Sequence, residues 1–181
     1  MPAISYVILL RGINVNPSTR IVMADLREHI AGLGHSNVRT LLQSGNVIVD
    51  SDSPPDAAKL AAVILEKTGV TSPVIVLRVS EFREIVEANP LRDAGDDPSK
   101  LVITFLGAAI EPASIDRPSD AELAPERLVI TPRAVYQWCP DGILKSRLKP
   151  AWWRQFVPVA TARNVRTADR ILEALAHAKE T

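Results

Sequence analysis

A chain of 181 residues, 46% hydrophobic and 23% charged, has the balance of an ordinary globular protein and room for one domain or two small ones. Its formal net charge of zero gives no overall attraction to nucleic acid or to a membrane, so no membrane partner is expected. The one cysteine, Cys139, excludes an intrachain disulfide, and with no clustered Cys or His beside it a thiolate metal site or redox pair is not supported. A reducing, cytoplasmic location is expected: the opening Met-Pro-Ala-Ile-Ser-Tyr lacks a basic leader, and the run "YVILL" is too short to cross a bilayer.

Ile4 to Leu10 is a nearly continuous apolar run and predicts a central strand. Met23, Leu26, Ile30 and Leu33 recur at helical spacing, with Gly32 and Gly34 as a stop. "NVRTLL" and "NVIVD" flank "QSG" as a hairpin. Pro54 and Pro55 suit the first turn of a helix carrying Ala57, Leu60, Ala61 and Ile64 and ending near Gly69. "SPVIVLRV" completes β-α-β-β-α-β, the split βαβ or ferredoxin-like order. "SEFREIVEAN" predicts a further helix, with half a capping box at Ser80, before the loop "NPLRDAGDDPSK". "KLVITFLG" is a buried strand, and the stretch near 112–124 is a proline-interrupted crossover. "ERLVIT" and "AVYQWC" form a second hairpin, with a helix near 149–157 and a short strand "VPVAT" behind it. Ala168, Ile171, Leu172 and Leu175 predict an amphipathic closing helix. The expected fold is α+β: two ferredoxin-like α/β plait domains in tandem, residues 1–80 and 81–181, the second with an added C-terminal helix.

Polar motifs fall at strand ends. In a split βαβ the first two strands run parallel, so Arg11 and Asn14, after strand one, share a sheet end with Gln43, Ser44 and Asn46 of the first hairpin. By the same logic "DGILKSR", with Lys145, Ser146 and Arg147, meets "TARN", with Thr161, Arg163 and Asn164, in the second half. Arginine and lysine there offer a fork for phosphate or carboxylate, with Ser, Thr and Asn completing its hydrogen bonds. If the two polar ends face each other, both clusters line one cleft. Charge is locally uneven: seven basic residues stand against Asp169 alone from Lys145 to Arg170, while Glu81 to Glu126 holds eleven acids and four bases.

Each motif has a plainer reading. Gly12 and Gly45 can serve turn geometry, and Asn14 and Asn46 can bond neighbouring backbone. Ser146 beside Lys145 is weak evidence for a nucleophile. His29, His35 and His177 lack metal-ligand spacing, and no cofactor or metal is indicated. Trp152, Trp153 and Phe156 are read as one side of an amphipathic helix. No phosphate-binding loop, dinucleotide fingerprint or nucleophile elbow occurs.

"LLRGINV", "VRTLLQSGNVIVDS", "VYQWCPDGILKSRL" and "VATARN" together resemble, in this order, an uncharacterised bacterial family, domain of unknown function 1697. The resemblance runs from about Tyr6 to Leu175. It implies two tandem α/β plaits and, for function, no established activity. Arg11, Asn14, Gln43, Ser44, Gly45, Asn46, Ser146, Arg163 and Asn164 match the pattern. Two departures stand out. The family's glycine pair and lysine-containing loop are replaced by Asn16, Pro17, Ser18, Thr19 and Arg20, where Arg20 can supply the charge. Its Trp-Asn-Thr after Arg-Asn is replaced by Val165, Arg166 and Thr167.

Three functions are therefore carried forward. The first is binding of an anionic ligand, a nucleotide or a nucleic-acid phosphate. Arg11, Arg147 and Arg163 would hold phosphate, while Asn14, Gln43 and Asn46 would read polar edges or order the loops. The second is an enzyme acting on a phosphorylated or carboxylated small molecule, ranked lower because the motif set has no His and no paired carboxylates. The third is a structural or interaction module in which the motif residues clamp the domains. An unpaired outer strand in either sheet offers a surface for a homodimer.

Overall fold

The computed structural model describes residues 4–156 and 159–177. The chain divides into two compact units, Met1–Phe82 and Arg83–Thr181. Each holds one four-stranded sheet in which every paired strand is antiparallel, and the described residues include five α-helices, so the class is α+β.

In the first unit β1 (Ile4–Leu10), β2 (Ser36–Leu41), β3 (Asn46–Ser51) and β4 (Val74–Arg78) lie in the order β2-β3-β1-β4. β1 is paired on both sides. Tyr6, Ile8 and Leu10 are buried with Val7 and Leu9 between them, so both its faces are covered. That is why its sequence is a continuous apolar run and not an alternation. Tyr6, Ile8 and Leu10 pack with Leu26 and Ile30 of α1 (Met23–Ala31) and with Leu60 and Ile64 of α2 (Ala57–Thr68). Burial of such aliphatic side chains stabilises by roughly 1.5–3 kcal/mol each.

Helix ends differ from expectation for local reasons. Leu33 lies beyond α1, which stops at Ala31. Pro54 and Pro55 precede α2 instead of opening it, because Asp56 is the N-cap and its carboxylate accepts from the amides of Ala58 and Lys59. α2 ends as expected at Gly69, whose φ of 72° needs no Cβ penalty. β4 runs without a loop into α3 (Val79–Glu87), within which the two units divide. The carboxylate of Glu81 accepts from Arg78 N at 2.9 Å, so the acid takes up the start that was expected of Ser80.

In the second unit β5 (Leu101–Leu106), β6 (Arg127–Ile130), β7 (Ala134–Trp138) and β8 (Ala160–Asn164) lie in the order β6-β7-β5-β8. The crossover after β5 is a 3-10 turn, Pro112–Ser114, and the single-turn α4 (Asp120–Leu123). The helix expected near 149–157 is instead a 3-10 turn, Trp152–Gln155. Pro150 and Pro158 bracket that stretch and leave too few residues for a stable α-helix. The aromatic residues still pack: Trp152 and Phe156 meet edge to face with centroids 5.0 Å apart, and Phe156 joins the core of Leu106, Leu128, Val135 and Leu148. The strand expected over "VPVAT" is displaced towards the C-terminus as β8, while Val157 and Pro158 lie outside the described residues. α5 (Val165–His177) follows at once and buries Val165, Ala168, Ile171 and Leu175. Among the described residues no helix is long and apolar enough to cross a membrane.

Candidate functional site

The first unit brings its predicted residues to one sheet end. Leu9 of β1 and Leu41 of β2 both register with Asn46, which places the β2–β3 turn beside the exit of β1. The turn packs tightly there. Leu10 N donates to Gly45 O at 2.8 Å, and a Cβ on Gly45 (φ 81°) would stand 2.7 Å from Leu10 Cβ.

Asn14, at a φ of 55°, ties the loop to that turn. Its Nδ2 donates to Gln43 O (2.7 Å) and to Ile21 O (3.1 Å), and its Oδ1 accepts from Ile21 N (2.8 Å). Both amide hydrogens and the acceptor are thereby used. Asn46 is 0% exposed; its Nδ2 donates to Leu41 O and to Ser44 Oγ, each at 3.0 Å, closing the turn from inside. Asn16 organises the loop tip by accepting from Ser18 N and Thr19 N. Arg11 is fixed by its backbone: its N donates to Pro73 O and Ser72 Oγ, and its O accepts from Ser72 Oγ.

The groups left facing water are different ones. The side chains of Arg11, Arg20 and Gln43 are exposed and in no hydrogen bond or ion pair among the described residues. Asn14, Asn16, Pro17, Arg20 and Gln43 line an open concavity of about 320 Å³. Arg20, singled out in the sequence only as a replacement charge, is the cation on its wall.

The second unit places its motif residues otherwise. "TARN" does not follow the last strand but forms most of it. In β8 Thr161 and Arg163 point to the buried side and Ala162 to the exposed side. Arg163 is 7% exposed, and its Nη1 donates to Thr161 Oγ1 (3.0 Å) and Ala162 O (2.8 Å). Burial draws its pKa down to about 10, which leaves it charged at neutral pH. Asn164 caps α5, its Oδ1 accepting from Thr167 N at 2.9 Å. Of the cations expected to form a fork, Lys145 and Arg147 are exposed and Arg163 is not.

Ser146 belongs to a buried network that the sequence reading missed. Glu126, just ahead of β6, is 9% exposed. Its Oε2 accepts from Gln137 Nε2 (2.8 Å) and Ser146 Oγ (2.9 Å), and its Oε1 accepts from Arg147 N (2.6 Å). Gln137 Nε2 also donates to Ser146 Oγ at 2.7 Å. The carboxylate thus seats the 139–148 loop on the sheet, and Ser146 Oγ is engaged on three sides once Leu148 N is counted among its donors. One sequence holds no signal that separates this glutamate from a solvated one. The nearby Cys139 thiol is pushed up to about 12, by burial first and by the charge of Glu126 second, so it is inert at neutral pH. A further cleft of about 410 Å³ runs beside β6, lined by Leu91, Ala124, Leu128, Val129 and the carboxylates Asp120 and Glu126; none of the expected site residues lines it. Among the described residues no group of three or more His, Cys, Asp or Glu could hold a metal ion.

Comparison with known proteins agrees with this architecture. The chain is similar to the conserved bacterial protein SP0830 from Streptococcus pneumoniae, with 22% identity and a TM-score of 0.66 over 96% of this chain and 99% of that one. At that identity the likeness concerns the fold. No curated protein matches. A family model described as "Protein of unknown function (DUF1697)" matches residues 4–136, the stretch that carries the β1 exit, the β2–β3 turn and Glu126. The chain belongs to this family, DUF1697.

Proposed function

We propose that the first unit binds an anionic ligand, a nucleotide or a nucleic-acid phosphate, at the end of its sheet where β1 leaves and β2 turns into β3. The observation that carries this reading is the concavity walled by Arg20 and Gln43 over a loop that Asn14 holds in place. A cation with no carboxylate partner, set on a pre-ordered rim, is what recognition of phosphate or carboxylate requires. Arg11 and Arg20 supply charge and Gln43 supplies donors. Asn14, Ser44 and Asn46 keep the rim in shape. Each unit is read as a ferredoxin-like plait, supported by the orders β2-β3-β1-β4 and β6-β7-β5-β8 with antiparallel pairing throughout. A cytoplasmic location is supported by the lone buried cysteine.

A thermal-shift screen of nucleotides, short oligonucleotides and phosphorylated metabolites tests the reading, at low and raised salt. The expected result is a stabilising shift that weakens with salt and disappears in an Arg11→Ala/Arg20→Ala variant that still folds. A shift of equal size in that variant, or no shift with any of these ligands, would remove it.

A second reading is favoured by a separate observation: Asn14, Asn46, Ser146 and Asn164 each make side-chain hydrogen bonds within their own unit. In that reading the motif is a frame, and its loss shows as lost stability with ligand binding untouched.

A further inference from the structure

The lack of a spanning helix among the described residues and a net charge of zero say nothing about a local surface patch. One stands out in the second unit. Leu144 is 100% exposed and Ile143 44% exposed, side by side on the 3-10 turn Ile143–Lys145. The turn is entered through Gly142 at a φ of 89° and is held at its base. Gly142 N donates to Cys139 O (2.8 Å), Ser146 N donates to Ile143 O (3.1 Å), and Leu148 behind it is buried. The Glu126 seat fixes Ser146 and Arg147 just beyond. An aliphatic pair is therefore presented on an ordered apex, where its hydration is a standing cost.

The flank of that apex is basic. Lys145, Arg147, Lys149 and Arg154 are exposed, against Asp141 as the one acid between Cys139 and Phe156. Lys145, Lys149 and Arg154 are in no ion pair among the described residues. An apolar apex with Lys145 on its own turn and further exposed cations following along the chain is complementary to an interface that is apolar below and negative above. We propose that the Gly142–Lys145 apex docks this unit on an anionic lipid surface. Ile143 and Leu144 enter the headgroup layer while Lys145 and the exposed cations that follow it lie over lipid phosphates. A nucleic acid answers only half of the patch, since an aliphatic pair neither stacks on a base nor meets a phosphate. Neither half suffices alone: two side chains anchor weakly, and exposed charges are screened by salt.

Co-sedimentation of the full chain with vesicles is the test. One set contains equal parts phosphatidylglycerol and phosphatidylcholine, the other phosphatidylcholine alone. Binding is expected to the anionic set only, to fall as salt is raised, and to drop about tenfold in both Ile143→Ser/Leu144→Ser and Lys145→Glu/Lys149→Glu. All four positions are exposed, so both variants are expected to melt with the parent chain. Failure to sediment with anionic vesicles at low salt, equal binding to neutral vesicles, or undiminished binding of the serine variant overturns the proposal. So does a dimer by light scattering that the serine variant abolishes while vesicles stay unbound; that result gives the apex to a second copy of the chain.

Discussion

Asn46 and Arg11 stand at the same end of one sheet, and a single substitution at each separates a frame from a contact. Asn46 is wholly buried, and its amide closes the β2–β3 turn from within. Asn46→Ala leaves Leu41 O without that donor and is expected to destabilise by about 2 kcal/mol in urea denaturation. Among the described residues the hydrogen bonds of Arg11 are made by its backbone, so Arg11→Ala is expected within about 0.5 kcal/mol of the parent. A large loss for Arg11→Ala would move it into the frame. Cys139 gives an independent check on the second unit. With its thiol at about 12, only roughly one molecule in ten thousand carries the thiolate at pH 8. Alkylation by iodoacetamide is expected to be negligible until denaturant opens the chain.

At the scale of elements, the tightest place in the first unit is Gly45. Its φ of 81° and the 2.7 Å approach of a built Cβ to Leu10 act together. Gly45→Ala is expected to lower stability by about 2–3 kcal/mol, read as an earlier urea midpoint with unchanged slope. In the second unit Ser146→Ala and Glu126→Ala are expected to be non-additive. The double variant should lose about 1–2 kcal/mol less than the two single losses added together, because each removes a bond that the other also removes. Full additivity would mean that Ser146 does not depend on Glu126. The elements themselves were largely legible. β1 was read at its observed bounds, and the stripe of α5 from four residues, because period and continuity of apolar residues report burial directly. What misled was length and phase. Between Pro150 and Pro158 helical spacing persists in a segment too short to be an α-helix. In β8 the alternation runs through Thr161, Ala162 and Arg163, and a strand that buries an arginine looks like a loop until its phase is known.

For the whole molecule the uneven charge along the chain was visible at once, but which cations face water was not. Arg11 follows β1 and Arg163 lies within β8, and one is exposed and the other buried. Acid response follows from the same burial. His35 sits with Nδ1 3.1 Å from Ser51 Oγ, and its pKa is lowered, by burial first and by the charge of Lys59 second. A lowered histidine favours the fold while neutral. Its contribution is complete above its ordinary value of 6.5 and is lost as pH falls below that. Urea midpoints are therefore expected to decline from pH 7 towards pH 5, and more shallowly in His35→Gln. Asp97 and Glu122 are also lowered, chiefly by hydrogen bonds from Ser99 and Ser119. Their loss belongs to the more acid range, below their ordinary values of 3.8 and 4.5. A parallel decline in the His35 variant would place the response elsewhere.

The carboxylate seat of Glu126 also bears on inheritance. Three side chains and one backbone amide share a single charge in a nearly dry place, so a lone change at Glu126, Gln137 or Ser146 strands the others. Lineages that abandon the arrangement must replace it jointly, for example with apolar residues at all three positions. Across relatives, these three columns are expected to change together, whereas the exposed side chains of Ile143 and Leu144 are free to drift unless an outside surface selects them.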